Sequence, residues 1–299
     1  MTTQSKWVPE QPTSSLRRHK APPVVGKGIH FIAGVPRSGS TLLCNILAQN
    51  PRFQVTATSG ILDAILMIRK MWGDIAEFKG LGNTAAKVNV MRAMLQGYFA
   101  DAPRPVVFDK SRSWLAHLEL AQTLLGREPK VLVPIRDVRE ILGSFEKIWR
   151  RSRASGPTVH EKNFYKEFQS VEGRCDVLMR EDQVVGIAYR RIGDALLRGF
   201  GRQMHFVSFE QLSAHPARTL AGIYEFLEEV PFPHDFDHVQ QVTTEDDEVY
   251  NLKGLHEIRP KVEPVAVQAK KILGPVADKY EGPYVWETFL GRPKVRVRP

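Results

Sequence analysis

Residues 29–43 read Ile-His-Phe-Ile-Ala-Gly-Val-Pro-Arg-Ser-Gly-Ser-Thr-Leu-Leu, and no other stretch constrains the fold as strongly. An apolar run, Ile29 to Ala33, enters a glycine-bearing turn and then a helix-forming segment. Gly34, four residues, Gly39 and then Ser40-Thr41 give the outline of a phosphate-binding loop, in which backbone N–H groups and a helix N-terminus cradle an anion. Ser40 stands where a nucleoside triphosphatase places its lysine, and Arg37 stands inside the loop instead. Such a cradle is not built for the β- and γ-phosphates of ATP. It implies a nucleotide with a different anionic tail.

A loop of this kind sits at the end of a parallel strand, and the rest of the chain supplies further strands. Short apolar runs at 105–108, 130–135 and 205–209 alternate with helical patterns at about 114–125, 137–151, 184–200 and 216–228. Helices are also expected at about 40–49, 61–72, 85–99 and 267–273, with a loop at Gly80–Asn83. Lys130–Ile135 is apolar almost throughout, as strands covered on both faces are. The alternation predicts an α/β fold, a P-loop-like parallel sheet flanked by helices on both faces. Residues 28–299 read as a single domain behind a flexible N-terminal arm, 1–27, with prolines at 9, 12, 22 and 23. The polar segment 153–183 breaks the rhythm and reads as an insertion or lid; 290–299 reads as a basic tail.

The net charge of +9 is informative only once located. Lys6, Arg17, Arg18, Lys20 and Lys27 outweigh Glu10 in the arm, and Arg292, Lys294, Arg296 and Arg298 close the chain. The body between is nearly neutral, which argues against a nucleic-acid-binding face. No apolar run is long enough to span a bilayer, and Met1–Glu10 lacks the core of a secretory signal. Two cysteines, Cys44 and Cys175, make no disulfide framework and fit a cytoplasmic protein.

In a parallel sheet, ligands gather at the carboxyl ends of the strands. Three polar motifs fall there: Pro36-Arg37-Ser38-Gly39-Ser40-Thr41, Asp109-Lys110-Ser111-Arg112, and Arg136-Asp137. Ser144 follows Arg136 by eight residues, so a loop folded over the helix start can turn both toward one phosphate. Two separated anion sites fit a nucleotide phosphorylated at both its 5′ and 3′ ends.

This combination resembles the sulfotransferases that use 3′-phosphoadenosine-5′-phosphosulfate (PAPS), in the bacterial and protein-tyrosine-sulfating branch. The resemblance spans about Ile29 to Leu212, roughly 60% of the chain. It implies that Pro36, Arg37, Ser38, Gly39, Ser40 and Thr41 hold the 5′-phosphosulfate, and that Arg136 and Ser144 hold the 3′-phosphate. It implies in-line sulfuryl transfer to a hydroxyl of a small-molecule, carbohydrate, lipid or peptide acceptor, with no metal. Arg37 then faces the leaving oxygens and Lys110 stabilises the transferring group. Two alternatives remain open. One is a small-molecule or nucleotide kinase, in which Asp137 imitates a metal-binding aspartate. The other is a non-catalytic adenosine 3′,5′-bisphosphate-binding protein.

The general base is where the match fails. A glutamate is expected 21 residues after the loop arginine, and that count lands on Thr58. Asp63 is the nearest carboxylate and is taken as the candidate, with His117 and a base from elsewhere as alternatives. Phe209-Glu210-Gln211-Leu212 reads first as a capping turn, and His234 and His238 as residues of a surface loop. Glu245-Asp246-Asp247-Glu248 reads as a solvated loop rather than a docking site for a basic peptide. Lys253–Arg259 and the arginines at 150, 151 and 153 are candidates for the nucleotide side.

Overall fold

Each strand of the sheet divides its side chains between two apolar layers. Phe31 and Ala33 of the first strand region enter one layer and Ile32 the other; Val131 and Val133 oppose Leu132 in the same way. This period of two explains why the strands read as unbroken apolar runs. The computed structural model describes residues 28–81 and 84–290. The expected arm at 1–27, Gly82-Asn83 of the expected loop and the tail beyond 290 lie outside them.

The strands are β1 (Gly28–Ile32), β2 (Phe53–Thr58), β3 (Val106–Lys110), β4 (Val131–Ile135) and β5 (Met204–Ser208). They form one parallel sheet in the order β2-β3-β1-β4-β5. The helices of the first half are α1 (Ser40–Leu47), α2 (Ile61–Met71), α3 (Ala76–Leu81), α4 (Thr84–Tyr98) and α5 (Leu118–Leu125). Then come α6 (Val138–Ser152), α7 (Val159–Asn163), α8 (Val171–Met179), α9 (Gly186–Leu197), α10 (Phe209–Ala214) and α11 (Pro216–Leu227). Two short helices, α12 (Ala269–Leu273) and α13 (Val285–Leu290), close the described chain. Helices α1 and α11 cover one face through Leu43, Ile46, Leu47, Leu220, Ile223 and Tyr224. Helices α2, α4, α5, α6 and α9 cover the other through residues such as Ile65, Leu95, Leu118, Ile141 and Ile192.

The sheet is thus the expected α/β architecture, with three differences of detail. Strand β2 has no counterpart in the sequence reading, although Phe53, Val55, Thr56 and Thr58 carry the β-branched and aromatic character of a strand. It lies at the sheet edge, and the Asn50-Pro51 break before it reads equally well as a plain loop. Gly80 lies inside α3 rather than in a loop, and Phe209 opens α10 instead of ending β5. Segment 153–183 contains α7 and α8, capped by the Thr158 and Ser170 hydroxyls. Among the described residues, no helix is long and apolar enough to cross a membrane.

Chain direction sets the site. β1 leads to α1 on one face, while its neighbour β4 leads to α6 on the other, which opens a crevice between their carboxyl ends. Behind this crevice, α6 is tied to α8 by Glu146. Its carboxylate accepts from Arg174 Nε at 2.7 Å and Arg174 Nη2 at 2.8 Å, and from Arg150 Nε at 2.7 Å. Burial pushes the Glu146 carboxyl up, but these arginines outweigh it and hold the group below its ordinary value of 4.5. A depressed folded-state value contributes stability above the unfolded value, and that stability is lost as pH falls through the folded one. The stability gap between wild type and Glu146→Gln, measured by urea unfolding, is therefore expected to be widest above pH 4.5. It should close as pH drops below that; a gap independent of pH contradicts the assignment.

Candidate active site

The loop after β1 is shaped by close backbone approach. Val35 N donates to Pro134 O at 3.0 Å, and a Cβ on Gly34 would lie 2.0 Å from that same oxygen, so only glycine fits. Ser38 Oγ closes the turn on Val35 O at 2.6 Å. Gly39 has φ 80° and faces the Phe209 ring, where a Cβ would stand 2.5 Å from a ring carbon. Arg37 is itself left-handed at φ 57°, a strain of roughly 1–2 kcal/mol for a residue with a Cβ. The first-turn N–H groups of α1, at Ser40 and Thr41, have no partner within the helix by construction.

Arg37 turns its guanidinium toward the far side of the crevice. Nε donates to Ser144 Oγ at 3.0 Å and Nη1 donates to Leu255 O. No carboxylate of the described residues pairs with it. Burial, and next the neighbouring Arg136 charge, pull its pKa down to about 10. Arg136 donates to Arg37 O at 3.2 Å, lies 3.6 Å from Glu140, and stacks over Phe209 with 4.4 Å to the ring centre. Its Nε is buried without a partner. The loop and the Arg136/Ser144 motif, 99 or more residues apart, therefore meet.

Lys110 enters from the end of β3. Its backbone N donates to Thr56 Oγ1 at 2.9 Å, and its ammonium lies 3.5 Å from Thr41 Oγ1. The preceding Asp109 is fully buried, accepts from Trp114 Nε1 at 2.6 Å, and has its pKa raised by burial. The Lys110 ammonium forms an ion pair with Glu245. Glu245 also accepts from Thr58 Oγ1 at 2.8 Å and lies 3.1 Å from His256 Nε2. His256 Nδ1 meets Asp247 Oδ1 at 2.6 Å. Burial raises the Glu245 carboxyl, but the Lys110 charge and the hydrogen bonds from Lys110 and Thr58 prevail and hold it below the usual range. Burial lowers His256 against the pull of both carboxylates.

These groups line a cavity of about 620 Å³, within the range of small-ligand sites. The loop after β1, Lys110 and Arg136 form its floor. Phe145, Val159, Val184, Ile187 and Leu252 give it an apolar side, with the Arg112 guanidinium bordering it. The ends of the 153–183 segment, at Val159-His160 and Asp182-Gln183, therefore reach the site.

Of the remaining sequence candidates, residues 255–259 of the 253–259 segment line the cavity, and the following fall elsewhere. Asp63 is exposed on α2 and is not part of the cavity wall; neither is His117. Asp137 caps α6, accepting from Arg139 N at 2.8 Å and from Tyr284 Oη at 2.6 Å, and also lies off the wall. His234 meets Tyr224 Oη at 2.9 Å. Arg151 donates to Lys253 O without reaching the cavity. Among the described residues, no three His, Cys, Asp or Glu side chains are grouped to hold a metal ion.

The expected solvated loop at 245–248 is the clearest departure. The segment has no regular structure up to a 3-10 turn at Asp247–Tyr250; Thr243, Glu245 and Asp247 are the less exposed residues, while Val242, Thr244 and Asp246 are exposed. Asn45 of α1 fastens it: Oδ1 accepts from Thr243 N at 3.1 Å and Nδ2 donates to Thr243 Oγ1 at 3.0 Å. The residues Val242-Thr243-Thr244-Glu245-Asp246-Asp247-Glu248 carry no apolar alternation, so nothing in the sequence signals which acids turn inward.

Fold and site together define a class, an α/β protein with a glycine-bearing loop at a helix N-terminus and a cationic crevice at a topological switch point. The profile described as Sulfotransferase family matches residues 30–234, and the chain belongs to that family. Similar solved structures include the sulfotransferase domain from the curacin biosynthetic pathway, at 16% identity over 81% of this chain and 82% of that one, with TM-score 0.46. The sulfotransferase domain from the Synechococcus PCC 7002 olefin synthase gives 18%, 85%, 94% and 0.45 in the same order. The sulfotransferase from Alicyclobacillus acidocaldarius gives 18%, 70%, 84% and 0.44.

Asn45→Ala should release the 241–250 segment. We expect a loss of about 2 kcal/mol in urea unfolding, from backbone donors left without their acceptor. Faster limited proteolysis within that segment should accompany it, and unchanged cleavage counts against the anchor.

Proposed function

We propose that the protein transfers a sulfuryl group from PAPS to a hydroxyl of an acceptor with an apolar body. The observation that carries this reading is Arg37: a guanidinium buried in the loop after β1, hydrogen-bonded to a hydroxyl and a carbonyl and without a direct ion pair among the described residues, Asp247 acting on it only at longer range. A buried cation without a direct ion pair is costly unless an anion binds against it. The donor fits the residues present. The first-turn N–H groups of α1 have no partner within the helix, and the buried Arg136 Nε has no acceptor.

The donor supplies an activated sulfuryl group on a phosphate leaving group. Arg37, Ser38, Gly39, Ser40 and Thr41 would bind its 5′ end. Arg136 and Ser144 would bind the 3′-phosphate, and the Ser144 hydroxyl would exchange its Arg37 contact for this anion. Arg37 and Lys110 would then meet charge that builds on the leaving and transferring oxygens, inside a crevice where such interactions are strong. The apolar side at Phe145, Val184, Ile187 and Leu252 would take the acceptor body. The kinase alternative loses support, because Asp137 is held by Arg139 and Tyr284.

Arg37→Ala is expected to lower kcat by about 100- to 1,000-fold. Arg136→Ala should instead weaken adenosine 3′,5′-bisphosphate binding by roughly 10- to 100-fold. Calorimetry in EDTA measures the second, with ATP as a control that should not bind. An unchanged affinity in Arg136→Ala removes the 3′-phosphate from this place. Tight bisphosphate binding with no transfer to any phenol, sugar or lipid would favour a non-catalytic protein.

A further inference from the structure

Glu245 has three neighbours that together define a proton-accepting site. One oxygen faces the Lys110 ammonium, which is itself 3.5 Å from the Thr41 hydroxyl of the anion loop. The other accepts from Thr58 Oγ1 at 2.8 Å and faces His256 Nε2 at 3.1 Å. Asp247 fixes the far side of that imidazole: Oδ1 meets Nδ1 at 2.6 Å and Oδ2 accepts from the His256 backbone N at 3.1 Å. Nδ1 faces Asp247 and Nε2 faces Glu245, so an imidazole that donates from Nδ1 to Asp247 has Nε2 placed to receive a proton. A proton gained by Glu245 is then shared with His256 and balanced by Asp247.

The carboxylate lines the cavity, one lysine ammonium away from the loop. It also stands against Thr58, whose own hydroxyl is too weak a base to serve. Asp63, the carboxylate nearest in sequence, is exposed and off the cavity wall. Cys44, nearby in α1, is buried and held as a thiol by burial, which raises its pKa to about 11.

We propose that Glu245 is the general base of the transfer, held by Thr58 and backed by the His256–Asp247 pair. The proposal rests on the donor reading above. As the acceptor oxygen bonds to sulfur, the bond from sulfur to the bridging oxygen of the phosphosulfate breaks, and its electron pair leaves on the phosphate. The hydroxyl proton passes to Glu245. Lys110 links the two ends of this event. In the absence of donor it neutralises Glu245; turned toward the transferring group, it frees the carboxylate oxygen that the hydroxyl needs. His256 and Asp247 are positioning residues, acting through Glu245.

The test uses the full chain, PAPS and three acceptors of decreasing acidity: 4-nitrophenol, phenol and benzyl alcohol. Glu245→Gln keeps the shape and the Thr58 contact, and Glu245→Asp keeps a carboxylate. Glu245→Gln is expected to cut kcat for benzyl alcohol by about 100- to 10,000-fold, and for 4-nitrophenol by less than about 10-fold. Glu245→Asp should fall between, and bisphosphate affinity should hold in both. His256→Gln should lower kcat while leaving acceptor KM unchanged. An equal loss on all three acceptors, or a collapse of bisphosphate affinity in Glu245→Gln, overturns the base assignment and makes Glu245 a structural partner of Lys110. A wild type that moves no sulfuryl group to any acceptor overturns the donor and hydroxyl reading itself, and the base with it.

Discussion

The site depends on how closely the loop after β1 can approach β4. Hydrogen bonds from Ala33 N to Leu132 O and from Val35 N to Pro134 O carry the β1–β4 pairing past the end of β1, into the loop. Gly34 permits this, since any side chain there would collide with the Pro134 carbonyl. The consequence reaches well beyond one residue. Arg136, just after β4, is brought under Arg37, and Ser144 on α6 comes within reach of the Arg37 guanidinium. Two motifs separated by about a third of the chain become one surface because two backbones touch.

That surface gathers positive charge, and the way each charge is balanced distinguishes the residues. Arg136 has Glu140 nearby and an aromatic ring beneath it. Lys110 has Glu245. Arg37 has a hydroxyl and a carbonyl as hydrogen-bond partners and Asp247 only at longer range, on a strained backbone. Inside a crevice of low dielectric, such an imbalance is what attracts a multiply charged ligand. The segment that completes the crevice also carries the acids. Residues 241–258 cross over α1, pinned by Asn45, and lie beyond the span matched by the family profile.

The sequence made the sheet legible because its physics is local. Four of the five strands stand out as short apolar runs between helical patterns, and their polar exits mark the ligand edge. Strand β2 did not stand out. It is half-buried, interrupted by Gln54 and Thr56 and close to a proline break, so its pairing with β3 decides it. The loop at 34–41 and the cations at the strand exits were legible for the same local reason, since a loop and a strand exit are continuous in sequence. Asp63 shows the limit. It is the nearest carboxylate along the chain, yet Ile61, Leu62 and Ile65 turn α2 so that Asp63 points to solvent.

The amino-acid sequence by itself determined the parallel α/β frame, the cradle at 34–41 and the cations that converge on it. Periodicity, glycine geometry and strand exits each act within a few residues. Tertiary structure alone decided what stands opposite that cradle. Glu245 reaches Lys110 and Thr58, with His256 behind it, only because an irregular segment folds back across α1, over separations of 135 or more residues. No local pattern encodes such a return. An acidic stretch looks solvated until the chain places a buried lysine against it.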